Sequence, residues 1–128
     1  MSSILLIEPD YVLAQTYRQA LAGRGRRINL ATTAQAAILT ADRSKPDLVI
    51  LEIQLVEHSG IEFLYEFRSY PDWQNIPVII HSHVPPAEFA DSWQLLHDEL
   101  GVHNYLYKPH ASLKQLNRAV LDLILQPA

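Results

Sequence analysis

Short apolar runs alternate with longer amphipathic stretches five times along this chain. Residues 4–7, 47–52 and 76–81 are mainly apolar, a pattern typical of strands that are covered on both faces. Two less apolar runs, 27–31 and 104–107, predict further strands, and 27–31 is expected at an edge of the sheet. Because each strand is followed by a helical pattern, the chain is predicted to form a parallel sheet with helices on both faces.

Five stretches with helical spacing follow these strands. They are predicted at residues 10–22, 33–41, 60–69, 86–100 and 112–125. The first helix is expected to bury one side, made of Val12, Leu13, Tyr17, Ala20 and Leu21. There is no internal repeat or linker, so 1–128 is interpreted as a single α/β domain with no output domain attached.

Composition narrows the classes of function. The chain has no cysteine, which excludes disulfides and thiolate catalysis. Its net charge of −4 argues against general nucleic-acid binding, and the small basic cluster Arg24, Arg26 and Arg27 is interpreted as solvated. The amino-terminal apolar run ends at Glu8, and no stretch is long enough to span a bilayer. We therefore expect a cytoplasmic protein that binds neither membranes nor nucleic acid.

Polar residues follow four of the predicted strands directly. They are Glu8 after the first strand, Glu52 at the end of the third, Ser82 after the fourth and Lys108 after the fifth. In an open parallel sheet, function gathers at the carboxyl ends of the strands. The sequence therefore predicts that two carboxylates, a hydroxyl and a lysine lie together at this edge.

In this order, these segments resemble the receiver domain of response regulators in two-component signalling. The resemblance runs from end to end, through residues 4–10, 46–55, 59–60, 76–80 and 105–109. It implies a flavodoxin-like, doubly wound (βα)5 fold with strand order 2-1-3-4-5.

The resemblance also implies roles for individual residues. In the family, an acidic pair after strand one and an aspartate ending strand three hold Mg²⁺, and that aspartate accepts a phosphoryl group from a histidine kinase. A hydroxyl after strand four and a lysine after strand five then contact the phosphate. On this chain the corresponding positions are Glu52 for the acceptor, Glu8, Pro9 and Asp10 for the acidic pocket, and Lys108 for the pocket lysine.

Three further expectations rest on the same resemblance. Ser82 and Tyr105 correspond to the switch pair, and His83 to the position that controls access to the acceptor. The Lys108–Pro109 peptide is expected to be cis.

Two departures from the family pattern affect the chemistry itself. Glu52 replaces the acceptor aspartate and Pro9 replaces a metal-binding carboxylate. Glutamate carries its carboxylate about 1.5 Å farther out, and a misplacement of about 1 Å can cost about 100-fold in rate. Because Mg²⁺ demands near-ideal oxygen ligation, its binding is expected to be weak or absent. We therefore interpret the chain as a degenerate pseudo-receiver without enzymatic activity or cofactor; a receiver still phosphorylated through Glu52 or Asp10 is the alternative.

Electrostatics adds a hypothesis about Lys108. If Glu8 and Glu52 lie about 5 Å apart without a metal, they repel by about 3 kcal/mol at an effective dielectric constant of 20. Lys108 is the nearby cation, so a Glu52–Lys108 ion pair is predicted. Such a pair either holds the domain in one permanent conformation or is an inert remnant, and the sequence leaves both open.

Aromatic residues predict where partners bind. Trp93, Tyr105 and Tyr107 cluster around helix four and strand five, and the resemblance implies a docking face made by helix four, strand five and helix five. The expected partner is a histidine kinase or another signalling protein, and a homodimer is left open. His81, His83 and His110 are candidate metal ligands at the same edge, but no HExxH-type motif occurs and no metal site is predicted.

Overall fold

The computed structural model describes residues 2–23 and 25–124, and its centre is a five-stranded parallel sheet. The strand order is β2-β1-β3-β4-β5. The strands are β1 (Ser2–Ile7), β2 (Arg26–Ala31), β3 (Leu48–Leu51), β4 (Val78–Ser82) and β5 (Val102–Tyr107). The predicted fold class and strand order are confirmed, and β2 lies at an edge as expected.

Five α-helices connect or follow the strands. They are α1 (Tyr11–Leu21), α2 (Ala34–Arg43), α3 (Gly60–Ser69), α4 (Trp93–Asp98) and α5 (Leu113–Ile124). The side chains of Asp10, Thr33 and Ser59 cap α1, α2 and α3, each accepting a hydrogen bond from a backbone amide of the first turn. The predicted last residue of the fifth helix, Leu125, lies outside the described residues. None of the helices that the structure describes is long and apolar enough to cross a membrane.

The sheet is covered on both faces, which explains its continuous apolar strands. Alternate residues of β1 point to opposite sides, so Ile4 and Leu6 join one core while Leu5 and Ile7 join the other. Helices α1 and α5 complete the first core, and α2, α3 and α4 complete the second. The main helical contributions are Tyr17, Leu21, Leu116 and Val120 on one face and Phe63, Phe67 and Leu96 on the other.

The fourth helix differs from its prediction. Instead of one helix over 86–100, a 3₁₀ segment (Pro86–Ser92) precedes the short helix α4. No residue of the 3₁₀ segment is buried, whereas Leu96 of α4 is. Because most helical stability in proteins comes from burying an apolar face, this segment lacks the packing that would favour an α-helix.

Helix α1 buries a narrower stripe than predicted. Its buried residues are Ala14, Tyr17 and Leu21, while 74% of Val12 is exposed. Positions 12 and 17 are five residues apart, about 140° around a helix, so they cannot share one buried face. The expectation that Val12 belongs to the core is therefore wrong.

The basic cluster is also only partly solvated. Arg27 is exposed, but Arg26 is half-buried and its Nη1 donates to the Leu21 carbonyl at 3.2 Å and to Asn117 Oδ1 at 2.7 Å. This contact joins the start of β2 to α1 and α5. Arg24 lies outside the described residues.

Arg68, at the end of α3, supports the amino ends of β4 and β5. Its guanidinium donates to the carbonyl oxygens of Trp73 at 2.6 Å, Ile76 at 2.5 Å and Leu100 at 2.9 Å. It therefore satisfies backbone groups in the loops that lead into β4 and β5. A side chain at Gly101, which has φ +69°, would collide with this guanidinium.

We expect Arg68→Leu to lower the free energy of unfolding by about 3 kcal/mol, because several carbonyls would lose their donor at once. Chemical denaturation measures this change. Arg118→Leu is the matched control, since Arg118 is 78% exposed and, among the described residues, pairs with Asp122 on its own helix. Its cost should stay within about 0.5 kcal/mol. Equal effects of the two variants would contradict the structural role of Arg68.

Candidate functional site

The carboxyl ends of β1, β3, β4 and β5 bring the four predicted polar residues together. Glu8 and Glu52 directly follow β1 and β3, the neighbouring strands at which the strand order reverses. Ser82 ends β4 and Lys108 follows β5. Glu8 and Glu52 are each only 3% exposed, and Ser82 is fully buried. The site is thus a buried polar cluster.

Lys108 lies between the two carboxylates. Its Nζ donates to Glu52 Oε1 at 2.8 Å and forms a close ion pair with Glu8 Oε1. The ring of Tyr17 lies 5.7 Å from the same Nζ, a cation–π distance. The Glu52–Lys108 contact agrees with the hypothesis drawn from the sequence. Two carboxylates and one ammonium leave the cluster with a formal charge of −1.

Glu52 accepts hydrogen bonds from four protein donors. Its Oε1 accepts hydrogen bonds from Lys108 Nζ and from the His83 amide at 3.2 Å. Its Oε2 accepts hydrogen bonds from the Ser82 hydroxyl and from the Gln54 amide at 3.1 Å. An ionised carboxylate has about four lone-pair sites. The acceptor capacity of Glu52 is therefore filled within the chain.

These contacts set the protonation of the cluster. Burial raises the pKa of Glu52, but hydrogen bonds from Lys108, Ser82 and the Gln54 amide lower it by more, so it lies below the ordinary 4.5. Burial lowers the pKa of Lys108, but its hydrogen bonds to Glu52 and Glu8 outweigh this effect, so it lies above the ordinary 10.5. Glu52 thus loses its stabilising contribution as the pH falls, and Lys108 loses its own as the pH rises.

The loop after β3 positions the Gln54 amide. Gly60, the first residue of α3, donates its amide to the Ile53 carbonyl at 2.6 Å. A Cβ at Gly60 would lie 2.7 Å from the Ile53 Cα, so only glycine allows α3 to begin this close to the strand end.

A chain of hydrogen bonds runs from the site to the surface. The Ser82 hydroxyl, which donates to Glu52, accepts from the Val84 amide at 3.0 Å, and the Val84 carbonyl accepts from the Tyr105 hydroxyl at 2.5 Å. Burial raises the pKa of Tyr105 to about 12, so this hydroxyl stays a donor.

Tyr105 also forms part of a surface groove. The groove, which we call the β5 groove, has a volume of about 540 Å³. It lies between β5 and the 3₁₀ segment with the start of α4, and its aromatic and histidine lining is Phe89, Trp93, His103 and Tyr105.

The acidic pocket does not fit Mg²⁺. Pro9 has no side-chain oxygen, and Asp10 Oδ1 caps α1 by accepting from the Leu13 amide at 3.1 Å. Both oxygens of Glu8 are occupied, Oε1 by Lys108 and Oε2 by the Asp10 amide at 3.1 Å. Because Mg²⁺ requires several oxygen ligands in octahedral geometry, this donor set cannot supply its shell without breaking the ion pairs.

The three histidines near this edge differ in burial and in contacts. His81 is buried and its ring packs edge-on against Tyr17 at 4.8 Å, whereas His83 and His110 are exposed. Within residues 2–23 and 25–124, no group of three histidines or carboxylates is arranged to hold a metal ion.

The expected cis Lys108–Pro109 peptide is wrong, since no described peptide bond is cis. Lys108–His110 instead forms a 3₁₀ turn in which Pro109 lies near the start. A trans peptide with the fixed φ of proline suits the first turn of such a helix.

Sequence reasoning missed three contributors to the site. Tyr17 was predicted only as a core residue, although its ring contacts both His81 and Lys108. The Gln54 amide and the Val84 carbonyl act through the backbone, so residue identity carried no signal for them.

Comparison with known proteins agrees with this arrangement. The family model described as "Response regulator receiver domain" matches residues 4–121. The KDP operon transcriptional regulatory protein KdpE of Escherichia coli (strain K12) is 35% identical over 109 residues, which cover 85% of this chain and 45% of KdpE. The sensory transduction protein RegX3 of Mycobacterium bovis is 26% identical over 92% of this chain and 49% of RegX3. The chain thus spans about half the length of these relatives.

Solved structures share the fold. The chemotaxis protein CheY4 of Vibrio cholerae superposes with a TM-score of 0.84 over 97% of this chain and 99% of that one, at 17% identity. A two-component response regulator from Clostridium difficile gives a TM-score of 0.80 at 26% identity, covering 97% of this chain and 96% of that one.

We expect Lys108→Met to cost about 3–5 kcal/mol in the free energy of unfolding at neutral pH, because it leaves buried carboxylates without their cation. The cost should shrink at acidic pH, where protonation of Glu52 removes part of the unpaired charge. Denaturant unfolding at several pH values measures both effects. Lys114→Met, at an exposed position, is the control and should change stability by no more than about 0.5 kcal/mol. A cost independent of pH would contradict the electrostatic explanation.

His81 should make the fold acid-sensitive. Burial, aided by Lys108, lowers the pKa of His81 from 6.5 to about 4, so the folded state binds fewer protons than the unfolded state between these values. Stability is therefore lost as the pH falls through this window, by up to about 3 kcal/mol. Between neutral pH and about pH 4, the free energy of unfolding should depend less on pH in His81→Phe, which keeps a ring against Tyr17. The exposed-site variant His103→Gln should retain the wild-type profile, and an unchanged profile in His81→Phe would exclude His81 as the cause.

Proposed function

The chain belongs to the response-regulator receiver family, and we propose that it is a pseudo-receiver, which signals by protein–protein contact without accepting a phosphoryl group. The observation that carries this proposal is the saturation of Glu52 by four donors of its own chain. The names of the relatives, a transcriptional regulatory protein and a sensory transduction protein, support a role in signal transduction.

Phosphoryl transfer depends on positioning and on charge neutralisation by a metal. An attacking carboxylate oxygen needs a free lone pair directed at phosphorus, and both oxygens of Glu52 are already engaged. Lys108 and Ser82, the residues that the family uses on the phosphate, are bound to Glu52 itself. The Mg²⁺ ligands are incomplete because of Pro9. We therefore propose that the domain is neither an enzyme nor a cofactor-binding protein.

We further propose that the ion pair holds one permanent conformation. Glu52 keeps the Ser82 hydroxyl turned toward the site, and the bonds through Val84 keep the Tyr105 hydroxyl beside β4. In a phosphorylatable receiver, a bound phosphoryl group would bring these residues into contact. An inert remnant would not need this connection from Ser82 through Val84 to Tyr105 at the surface.

The β5 groove supports the proposed docking face of α4, β5 and α5. It combines a half-exposed tyrosine with Trp93, which is 37% exposed, and aromatic residues are enriched in interface hot spots. The expected partner is a histidine kinase or another signalling protein in the cytoplasm.

Incubation with acetyl phosphate and Mg²⁺, followed by intact-mass measurement, tests the proposal. The wild-type chain should gain no phosphoryl adduct. The double variant Pro9→Asp/Glu52→Asp should gain one, because it restores a short acceptor and a second carboxylate for the metal. Glu52→Asp alone is the control that separates the two changes, and it should gain less adduct than the double variant.

A stoichiometric adduct on the wild-type chain would contradict the proposal and support the alternative of a phosphorylatable receiver. Peptide mapping of such an adduct would then distinguish Glu52 from Asp10. Unchanged unfolding curves of the variants would ensure that a missing adduct reflects chemistry rather than misfolding.

A further inference from the structure

The edge strand β2 lies at the far side of the sheet from the β5 groove and has a distinct charge pattern. The chain contains 14 Asp and Glu residues, yet residues 11–41, which include α1, β2 and most of α2, contain none. Among the described strands, β2 pairs with β1 alone. The Arg26 amide donates to the Gly23 carbonyl at 3.0 Å, so the outer edge beyond Arg26 is the part open to another strand.

A cavity of about 510 Å³ lies beside this edge. Arg18 and Ala22 of α1 line one side, and β2 lines the other with Arg26, Arg27, Ile28 and Asn29. Its lining therefore contains three guanidinium groups and no carboxylate. Arg18 and Arg27 are exposed, so their donors are accessible to a ligand.

The wall of this cavity is fixed by hydrogen bonds. Arg26 is held by the Leu21 carbonyl and by Asn117 Oδ1. Asn117 in turn donates its Nδ2 to the Ala20 carbonyl at 2.9 Å. Because α1, β2 and α5 are linked at this point, the cavity is formed before any ligand arrives, which lowers the entropic cost of binding.

We propose that the β2 edge binds an extended, acidic segment of a partner protein by strand addition. Backbone hydrogen bonds to the outer edge of β2 would supply part of the affinity. Arg26 contacts α5 on one face of the sheet, so strand alternation places Arg27 on the face opposite to Arg18. Carboxylates at neighbouring positions of the added strand, which point to opposite faces, would pair with Arg18 and Arg27. The planar guanidinium suits a carboxylate because it offers two parallel N–H donors. This site is separate from the proposed pseudo-receiver function and does not depend on it.

Other polyanions fit this surface less well. Nucleic-acid sites are usually broad basic faces on basic domains, whereas this chain carries −4 overall and has two exposed arginines at the cavity. An anionic membrane would favour exposed apolar side chains beside the cations. The exposed large hydrophobic residues, Tyr11, Val12, Leu39, Val56, Tyr65, Tyr70, Trp93 and Leu113, are not among the residues that line the cavity.

Fluorescence anisotropy with the full chain tests this site. The probe is a labelled peptide of Val residues around adjacent Glu pairs, which favours an extended conformation and places neighbouring carboxylates on opposite faces. Saturable binding is expected, and Arg18→Gln/Arg27→Gln should weaken it by at least about tenfold, because two charge-assisted contacts are removed. Lys114→Gln/Arg118→Gln removes the same charge from exposed positions on α5 and should weaken binding by no more than about twofold.

Hydrogen exchange of the β2 amides should slow when the peptide is saturating, as strand addition requires. Absence of saturable binding, equal weakening by both double variants, or unchanged exchange in β2 would each overturn the proposal. So would tighter binding of a single-stranded oligothymidine or of phosphatidylserine vesicles than of the Glu-Val peptide. A peptide with Gln in place of Glu should bind at least about tenfold more weakly.

Discussion

Two carboxylates buried side by side need a cation, and the carboxyl end of this sheet is organised by that need. Glu8 and Glu52 follow adjacent strands, and the ammonium of Lys108 reaches both from the end of β5. A buried charge that loses its partner is far more costly than a surface one, so the three side chains constrain each other. The ends of β1, β3 and β5 are therefore tied together by a single ammonium group, which sits against the ring of Tyr17.

One extra methylene changes what this pocket can do. A glutamate after β3 extends far enough to accept from Lys108, Ser82 and two backbone amides at once. A carboxylate used in this way is a structural acceptor of hydrogen bonds. Replacement of the usual second acidic residue by Pro9 is consistent with the same state, since proline adds no negative charge to a cluster that already carries −1.

The parts of this structure that follow from strict periodicity could be predicted from the sequence. Continuous apolar strands predicted the parallel sheet, and the polar residues at their ends predicted the cluster of Glu8, Glu52, Ser82 and Lys108. The strand order came from the resemblance to the receiver family. The division of the fourth helix depends on which neighbours cover each face, which one-dimensional spacing does not report. The exposure of Val12, by contrast, follows from helical spacing applied strictly. The hydrogen bonds of Arg26 and Arg68 with distant backbone and side chains, and the backbone donor at Gln54, are tertiary in origin and carry no local signal.

The order β2-β1-β3-β4-β5 places the two open edges of the sheet four strand spacings apart. At about 4.8 Å per spacing, the edge backbones are separated by about 19 Å. Neighbouring strands are each rotated by about 20–25°, so the two edges run at about 80–100° to one another. Partner segments bound along β2 and along β5 would therefore cross almost at right angles. Through the twist of its sheet, this small domain would fix the mutual orientation of its partners as well as the distance between them.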